Sequence, residues 1–217
     1  MCGRFTLRKQ NELLAYQLQM AEIPAVVPRY NIAPTQTVLA IRPGEHGREW
    51  ALLRWGLVPS WAKSTKGPLN INARSETVAT SPAFRSAFKR RRCLIAGDGF
   101  YEWVGPPKDK RARFFSLKDE KVFAFAGIWE RWQQGETVIE SCAVLTTTAN
   151  ELVKPVHDRM PVILTDGDYS LWLNGEAPPS ELESLLRPLD AGSMTVRSVG
   201  SFVNSARNEG DQCVLDG

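Results

Sequence analysis

Hydrophobic residues occur along this chain mainly in short alternating or continuous runs, separated by Gly, Pro and polar residues. Such runs are typical of β-strands, which are predicted here over residues 37–41, 49–54, 93–96, 114–117, 122–128, 138–146, 162–164 and 195–199. Apolar residues at helical spacing predict short helices over residues 8–20, 81–88, 149–153, 166–173 and 180–186. Because strands and helices are mixed without regular βαβ alternation, we predict a single α+β domain with mainly antiparallel twisted sheet and short flanking helices.

Two further stretches are polar and rich in loop-forming residues. Residues 29–34 are predicted as an extended loop held by prolines, and the stretch from about Ser205 as a loose tail. A basic turn containing Lys108, Lys110, Arg111 and Arg113 is predicted before the strand at 114–117.

The composition is that of an ordinary globular protein of 217 residues, 43% hydrophobic and 24% charged. No apolar run is long enough to span a membrane, and the first residues lack the basic-then-apolar pattern of a signal peptide. We therefore expect an intracellular protein, in the cytoplasm or nucleoid if it is bacterial, with no membrane partner. The net charge of +3 permits a nucleic-acid partner without arguing for one.

The cysteine pattern argues against a metal site. Four cysteines, Cys2, Cys93, Cys142 and Cys213, are scattered with no pair at short spacing. This pattern predicts reduced thiols, with neither a zinc motif nor a disulfide framework. We expect no metal and no cofactor.

The chain begins Met1-Cys2-Gly3-Arg4-Phe5. The small residue at position 2 leaves Met1 open to removal, after which Cys2 carries an α-amine and a thiol, groups that ordinarily ionise with pKa values of about 7.8 and about 8.5. A useful minority of each group is then nucleophilic near neutral pH. The amine can condense with an aldehyde and the thiol can close a five-membered thiazolidine on the same carbon. On these residues alone, a chance Met-Cys start with a frayed segment is the simpler interpretation.

Glu102 and His157 are candidates for proton transfer. Glu102 lies between Tyr101 and Trp103 at the end of an apolar strand, where loss of solvation is expected to raise the pKa of the carboxyl. A turn cap or an arginine pair is an equally good interpretation of Glu102. His157 is one of two histidines and lies in a proline-flanked loop. A hydrogen-bonded structural role is the simpler interpretation of His157.

Asn72 and Arg74 alternate in an extended segment, so both side chains are expected on one face. An amide there can orient a polar substrate atom and a guanidinium can hold a phosphate, whereas an ordinary salt bridge from Arg74 to Glu76 is the alternative. Trp61 follows Pro59-Ser60 in a loop and is the tryptophan best placed to stack on a nucleobase.

Clustered charge at 89–92 is the obvious nucleic-acid patch, but a charge run at a helix end is usually a solvated face. We therefore rank it below the dispersed arginines Arg4, Arg74 and Arg159 as a phosphate contact.

Several motifs occur together in one order: MCGRF at 1–5, RYNIAP at 29–34, WGLVPSW at 55–61, NARSET at 72–77, CLIAGDGFYEW at 93–103, AGIW at 126–129 and VHDRMP at 156–161. The ordered set resembles the SOS-response-associated peptidase (SRAP) family, whose members include bacterial proteins and the eukaryotic sensor that shields abasic sites in single-stranded DNA. The likeness runs from residue 1 to about residue 208 and leaves residues 209–217 as a C-terminal tail.

The resemblance implies the chemistry of an abasic-site sensor that crosslinks itself to its substrate. Cys2 corresponds to the residue that forms a thiazolidine with the ring-opened abasic site, and the same comparison implies a compact fold with a basic cleft, a monomer, and single-stranded DNA as partner. The polar residues around Cys2 are implied to be Asn72, Glu102 and His157. The implied DNA contacts are Arg4, Arg74 and Arg159 to phosphates, Trp61 and Trp103 as aromatics near the strand, and, as a weaker match, Thr146.

Two other classes of function remain open on the sequence. A cysteine peptidase or self-processing enzyme would use Cys2 as nucleophile and His157 as base, and a lyase class is compatible with the same residues. A noncatalytic single-strand binding module would use the arginines and aromatics alone.

Overall fold

The computed structural model describes residues 2–9, 11–21, 25–106 and 109–217, with the side chains of residues 11–13 left aside. The strands of these residues are β1 Phe5–Leu7, β2 Arg29–Ile32, β3 Thr37–Gly44, β4 Gly47–Trp55, β5 Asn72–Arg74, β6 Arg92–Gly97, β7 Gly99–Val104, β8 Arg111–Leu117, β9 Phe123–Gln134, β10 Thr137–Thr148, β11 Arg159–Pro161, β12 Ile163–Leu164 and β13 Met194–Ser198. The α-helices are α1 Asn11–Leu18, α2 Arg85–Arg90, α3 Tyr169–Leu173 and α4 Pro179–Ser184, and short 3-10 helices cover Ala191–Ser193, Ser201–Asn204 and Asp211–Val214.

The strands form two sheets. The smaller has the order β13-β8-β7-β1-β2, and the larger runs β11-β10-β4-β3-β6-β9-β12 with β5 added beside β10. Because β9 also pairs with β10, strands β10, β4, β3, β6 and β9 close into a barrel-like ring. Apart from the parallel contacts of β10 with β4 and β5, the strand pairs of the described residues are antiparallel. The predicted α+β class with mainly antiparallel sheet is confirmed.

The N-terminal strand joins the two sheets. Phe5 belongs to the smaller sheet, but its ring packs edge-on against Trp55 and Phe125 of the larger one, with centroid separations of 5.0 and 5.3 Å. Such edge-to-face pairs contribute about 0.5–1.5 kcal/mol beyond the burial of their apolar surface. The residues just before Phe5 are therefore anchored rather than frayed.

Asp98 holds the other end of β1. Its carboxylate is buried between β6 and β7 and accepts hydrogen bonds from Thr6 Oγ1 at 2.5 Å and from the backbone N–H groups of Arg8 and Lys9 at 2.6 and 3.1 Å. Charge-assisted bonds of this kind are about twice as strong as neutral ones. Phe5 and Asp98 together fix the start of the chain.

Most predicted strands are present, several of them longer than predicted. The helix predicted at 149–153 is wrong, because Asn150 Oδ1 instead accepts the N–H groups of Leu152 and Val153 at 3.1 and 3.0 Å and forms a turn. The helix predicted at 81–88 begins only at Arg85, and the loop predicted at 29–34 contains strand β2. None of the helices in the described residues is long and apolar enough to cross a membrane.

The C-terminal residues are packed, so the predicted looseness of the tail is wrong. Cys213 is buried against Tyr101 and Phe114 in a second, smaller core. The N–H of Gly200 donates to Leu215 O at 3.1 Å. The domain boundary near residue 208 stays a prediction.

Candidate active site

Cys2 lies at the junction of the two sheets, shortly before Phe5 in the chain. Its side chain is fully buried, and its carbonyl accepts a hydrogen bond of 2.8 Å from Asn72 Nδ2. Asn72 is held in turn by β5, which pairs in parallel with β10 at Val144. The amide of Asn72 therefore positions the backbone on which the candidate nucleophile sits, and Met1 lies outside the described residues.

The environment of Cys2 keeps its thiol protonated. Burial is the main cause that raises the pKa of the Cys2 thiol, and the nearby Glu102 carboxylate raises it further. The expectation that a useful minority of the thiol is ionised near neutral pH concerns Cys2 as the terminal residue after removal of Met1, and it stays a prediction. Any reaction of Cys2 has to remove the thiol proton in the same step or pass it to a neighbouring base.

Glu102 is a buried carboxyl on β7, with 5% of its surface exposed. Loss of solvation raises the pKa of Glu102, and the nearby His157 opposes this shift. The direction predicted from its aromatic neighbours in sequence is confirmed. A carboxyl with a raised pKa can hold a proton at neutral pH and release it to a reacting group.

His157 has a hydrogen-bonding partner for each protonation state of Nδ1. This atom lies 2.9 Å from the backbone N–H of Arg159, which it can accept when neutral, and 2.9 Å from Asp158 Oδ1, to which it can donate when protonated. The loop is closed by the bond from His157 N to Val153 O at 3.0 Å. The Arg159 N–H and the Asp158 carboxylate therefore fix the orientation of the imidazole ring.

The three ranked arginines have different surroundings. Arg4 Nη1 donates to Asn31 Oδ1 at 2.6 Å and to Val203 O at 2.9 Å, and the guanidinium lies 5.4 Å from the centre of the Trp103 ring. Burial lowers the pKa of Arg4, which remains a cation at any physiological pH. Its partners are uncharged, so its charge is not neutralised by the groups that hold it.

Arg159 is paired with a carboxylate. Its guanidinium binds both oxygens of Glu76, at 2.5 and 3.0 Å, and donates to Thr146 O at 2.5 Å. This pairing lowers the pKa of Glu76. The alternative salt bridge from Arg74 to Glu76 is not the one that forms, and Arg74 is exposed on β5.

The aromatic and hydroxyl candidates also differ in accessibility. Trp61 is 67% exposed, and its Nε1 donates to Pro82 O at 3.3 Å. Trp103 is half-buried, with Nε1 bonded to Asn204 Oδ1 at 2.7 Å. Thr146 is fully buried behind Arg159, which gives it a positioning contact and no accessible surface.

In the basic run at 89–92, Arg92 departs from the predicted solvated face. It is buried and donates to four backbone carbonyls, those of Phe88, Lys89, Trp172 and Asn174. This part of the prediction is wrong, because the guanidinium ties helix α2 to helix α3 instead of facing solvent.

A single cleft of about 1210 Å³ joins several of these residues. It is lined by Gly3, Arg4, Glu102, Trp103, Asp109, Lys110, Arg111, Ala112, Arg113, His157, Ser198, Val199, Gly200, Ser201, Asn204 and Gly217. The structure thus brings the N-terminal segment, the buried carboxyl and the histidine to one cavity. Six of the predicted site residues are outside its lining, namely Cys2, Trp61, Asn72, Arg74, Thr146 and Arg159.

Asn31 and the C-terminal segment that it holds were missed from the sequence. Asn31 is fully buried and connects Arg4 to the carbonyls of Ser205 and Asn208, at 2.9 and 2.8 Å from its Nδ2. The segment that these bonds hold then forms one wall of the cleft. An asparagine inside the apolar RYNI stretch was the available signal, since a buried amide needs partners.

No group of three or more His, Cys, Asp or Glu side chains able to hold a metal ion is found among the described residues. All four cysteines lie in those residues, and each is a free, buried thiol. The side chains that line the cleft include the Glu102 carboxyl, the His157 imidazole and several arginines, and the Cys2 thiol is buried near Glu102.

The geometry defines an α+β domain with a polar cleft into which its own N-terminal strand leads. Solved structures share this fold: a protein from Bacteroides thetaiotaomicron has a TM-score of 0.82 at 23% identity with full coverage of both chains. A protein from Bordetella bronchiseptica has a TM-score of 0.77 at 28% identity, covering 92% of this chain and 100% of that one.

The chain belongs to the SOS response associated peptidase (SRAP) family, whose model matches residues 1–206. It is 42% identical over 221 residues to the abasic site processing protein YoqW of Bacillus subtilis, with 99% of each chain covered. It is also 29% identical to the abasic site processing protein HMCES of Xenopus tropicalis, over 86% of this chain and 65% of that protein.

Proposed function

We propose that this protein captures abasic sites in single-stranded DNA through a thiazolidine crosslink to Cys2, formed after removal of Met1. The observations that carry the proposal are the hydrogen bond from Asn72 to the backbone of Cys2, the nearby Glu102 carboxyl that acts on the Cys2 thiol, and the cleft that Glu102 and His157 both line. The names of the relatives, which are abasic site processing proteins, support the same substrate.

The first step joins the freed α-amine of Cys2 to the aldehyde of the ring-opened sugar. The amine nitrogen adds to the aldehyde carbon to give a carbinolamine, which loses its hydroxyl as water to give a protonated imine that keeps one hydrogen on nitrogen. In its protonated form, which its raised pKa favours, Glu102 donates the proton that the departing hydroxyl needs. If Glu102 were ionised, it would instead hold the amine in its unreactive ammonium form.

The second step closes the ring. The Cys2 sulfur adds to the carbon of the protonated imine, the carbon–nitrogen π pair returns to nitrogen, and the thiol proton passes to the Glu102 carboxylate, which regains the proton that it gave up in the first step. The overall change is loss of one water from aldehyde, amine and thiol. A neutral thiol is suited to this route because proton and sulfur move in one event, and proximity makes the closure intramolecular.

Asn72 and His157 orient the sugar. Asn72 Oδ1 is buried with no hydrogen-bond partner among the described residues, while its Nδ2 is occupied by Cys2 O. Since a buried acceptor of this kind is costly to leave unpaired, a sugar hydroxyl is a fitting donor for it. His157 assists sugar ring opening, with Arg159 N–H and Asp158 as partners for its two protonation states.

The arginines and tryptophans hold the strand. Arg4 and Arg74 contact flanking phosphates, Arg159 contributes when Glu76 is displaced, and Trp61 and Trp103 stack near the bases. Phosphate contacts carry no base information, so the encounter is independent of sequence. Salt weakens the encounter strongly but leaves the finished covalent adduct intact.

The competing peptidase function needs Cys2 as a thiolate activated by His157. The raised pKa of the buried thiol counts against that assignment. A noncatalytic binding module, the third class, would leave the buried Cys2–Asn72 arrangement without a use.

Incubation with a single-stranded oligonucleotide containing one abasic site, followed by denaturing electrophoresis and intact mass, tests the proposal. We expect a denaturant-resistant adduct with the mass of protein lacking Met1 plus DNA minus one water. Cys2→Ser should form no lasting adduct because closure through oxygen gives a less stable ring, and Cys2→Ala should form none. Peptide hydrolysis by the wild type without any DNA adduct would overturn the proposal in favour of the peptidase.

A further inference from the structure

A row of cations on the β7–β8 hairpin borders the cleft and has no part in the chemistry above. It consists of Lys110, Arg111 and Arg113, which all line the cavity that also contains Glu102 and His157. Lys108, from the same predicted basic turn, lies outside the described residues. We refer to these three residues as the basic row.

Strand geometry directs the basic row toward the cleft. Arg111 and Arg113 are two residues apart on β8 and therefore share one face, whereas Ala112 and Phe114 on the other face are buried. Arg113 lies directly across the strand pair from Glu102. The basic row thus lies alongside the carboxyl of Glu102, with Arg113 paired to it across the strands and Lys110 acting on it by charge.

The contacts of the two arginines in the basic row neutralise little of their charge. Arg113 Nη1 donates to the neutral Ser198 Oγ at 2.5 Å. Among the described residues, Arg111 forms one ion pair, an exposed contact of 3.6 Å with Asp109. Exposed ion pairs of this kind contribute little to stability. The side chains that line the cleft include four cations, which are Arg4 and the three residues of the basic row. They also include two acidic side chains, those of Glu102 and Asp109. The cleft is therefore suited to an anionic chain.

The facing wall supplies neutral polar groups. Ser201 and Asn204 line the cleft there, and hydroxyl and amide groups of this type commonly bind phosphate oxygens. Asn31 fixes this wall through the carbonyls of Val203 and Ser205, at 3.3 and 2.9 Å. A strand lying in the cleft would meet the cations of the basic row on one side and the polar groups of Ser201 and Asn204 on the other.

We propose that the basic row is a second phosphate-binding track, which holds the sugar-phosphate backbone of single-stranded DNA on one side of the lesion. It is distinct from the exposed Arg74 and Trp61, which lie outside the cleft. The inference rests on the proposed function for the identity of the bound nucleic acid. The track adds about three phosphate contacts and lengthens the stretch of bound DNA on one side of the lesion only.

The test measures equilibrium binding of undamaged single-stranded oligonucleotides by fluorescence anisotropy across salt concentrations. The proteins carry Cys2→Ala, so that covalent capture does not interfere. Removing the basic row by Lys110→Gln, Arg111→Gln and Arg113→Gln should reduce the slope of log K against log salt by about 2, since each single-strand phosphate contact contributes about 0.7. Affinity at about 0.1 M salt should fall roughly a hundredfold.

The matched control removes three exposed cations that do not line the cleft, by Lys118→Gln, Arg131→Gln and Arg187→Gln. It loses the same net charge, so an equal fall in slope in both triple variants would overturn the proposal. Arg113→Lys keeps the charge and should keep the slope. Thermal melting of each variant separates loss of contacts from loss of fold.

Strand length gives a second, independent readout. Nucleotides added on one side of a fixed abasic site should strengthen binding to the Cys2→Ala protein, and the basic-row variant should lose this gain. An unchanged dependence on length would contradict the track. Adduct formation by the wild-type protein is measured separately. If the salt slope falls as expected but no adduct forms, the proposed function is contradicted and the phosphate-binding track is not. If an adduct forms but the salt slope is unchanged in the basic-row variant, the track is contradicted and the proposed function is not.

Discussion

Arg4 and Arg159 have the same side chain and the same expected role, yet the fold gives them opposite electrostatic surroundings. Arg4 is held by the amide of Asn31 and a backbone carbonyl, whereas Arg159 is held by the carboxylate of Glu76. The first arrangement positions a cation without cancelling its charge. The second arrangement positions a cation but leaves little net charge to attract a phosphate. The hydrogen-bonding partner of an arginine therefore affects its contribution to DNA binding more than its position in the fold does.

The largest effect is expected from removing the partner of Arg4. Asn31→Ala deletes four hydrogen bonds, three to carbonyls of the C-terminal segment and one from Arg4, at a fully buried position. Leaving a half-buried guanidinium with fewer acceptors should lower the free energy of unfolding by about 3–5 kcal/mol. Urea denaturation measures this change.

The matched variant is Glu76→Ala, which removes the partner of Arg159. Glu76 is half-exposed, so this loss should cost at most about 1 kcal/mol. If Asn31→Ala and Glu76→Ala destabilised the protein equally, the greater burial of Asn31 would not be what sets the energetic cost of removing an arginine's partner.

The second effect concerns DNA affinity. Arg4→Gln should weaken binding of single-stranded DNA about fivefold to tenfold and reduce the salt slope by about 0.7, as expected for one phosphate contact. Arg159→Gln should do markedly less, because Glu76 already neutralises that guanidinium. The measurement is anisotropy in the Cys2→Ala background, and a larger loss from Arg159→Gln would reverse the ranking.

The partners of Arg4 and Arg159 show which features of the structure can be predicted from the sequence and which cannot. The continuous apolar run at 93–96 predicts a buried strand, which is β6, and the mixture of short elements predicts the fold class; both depend on local pattern and both are confirmed. The pairing of Arg159 with Glu76 joins residues 83 positions apart, and no local pattern distinguishes it from the pairing of Arg74 with Glu76. The roles of Cys2, Asn72, Glu102 and His157 came from the resemblance and stay predictions.

The errors have a common physical origin. At Asn150, hydrogen bonds from the backbone to a side chain outweigh the apolar spacing that predicts a helix. In the tail, burial of Cys213 and the bonds from Asn31 to distant carbonyls order a segment whose composition is polar. The burial that raises the pKa of the Cys2 thiol also depends on tertiary packing, and no local sequence pattern shows it.

The smallest expected effect is a gain. Glu76→Gln removes the carboxylate charge while keeping a hydrogen-bonding side chain, so Arg159 becomes available to a phosphate. Affinity for single-stranded DNA should rise a few-fold at low salt, and the salt slope should grow by about 0.7. Arg159→Gln combined with Glu76→Gln should cancel the gain, whereas a gain that persists in the double variant would mean that Glu76 acts by repelling the strand directly.

Acid provides the same change without mutation. Because Arg159 lowers the pKa of Glu76, the carboxylate and its contribution to stability are present above the ordinary glutamate value and are lost as the pH falls through the lowered pKa. Below that pH, Glu76 is protonated and Arg159 is released, so the salt slope of the wild type should approach that of Glu76→Gln, measured at the same pH values. A difference between the two proteins that stays constant as Glu76 titrates would show that the charge of this carboxylate does not control Arg159.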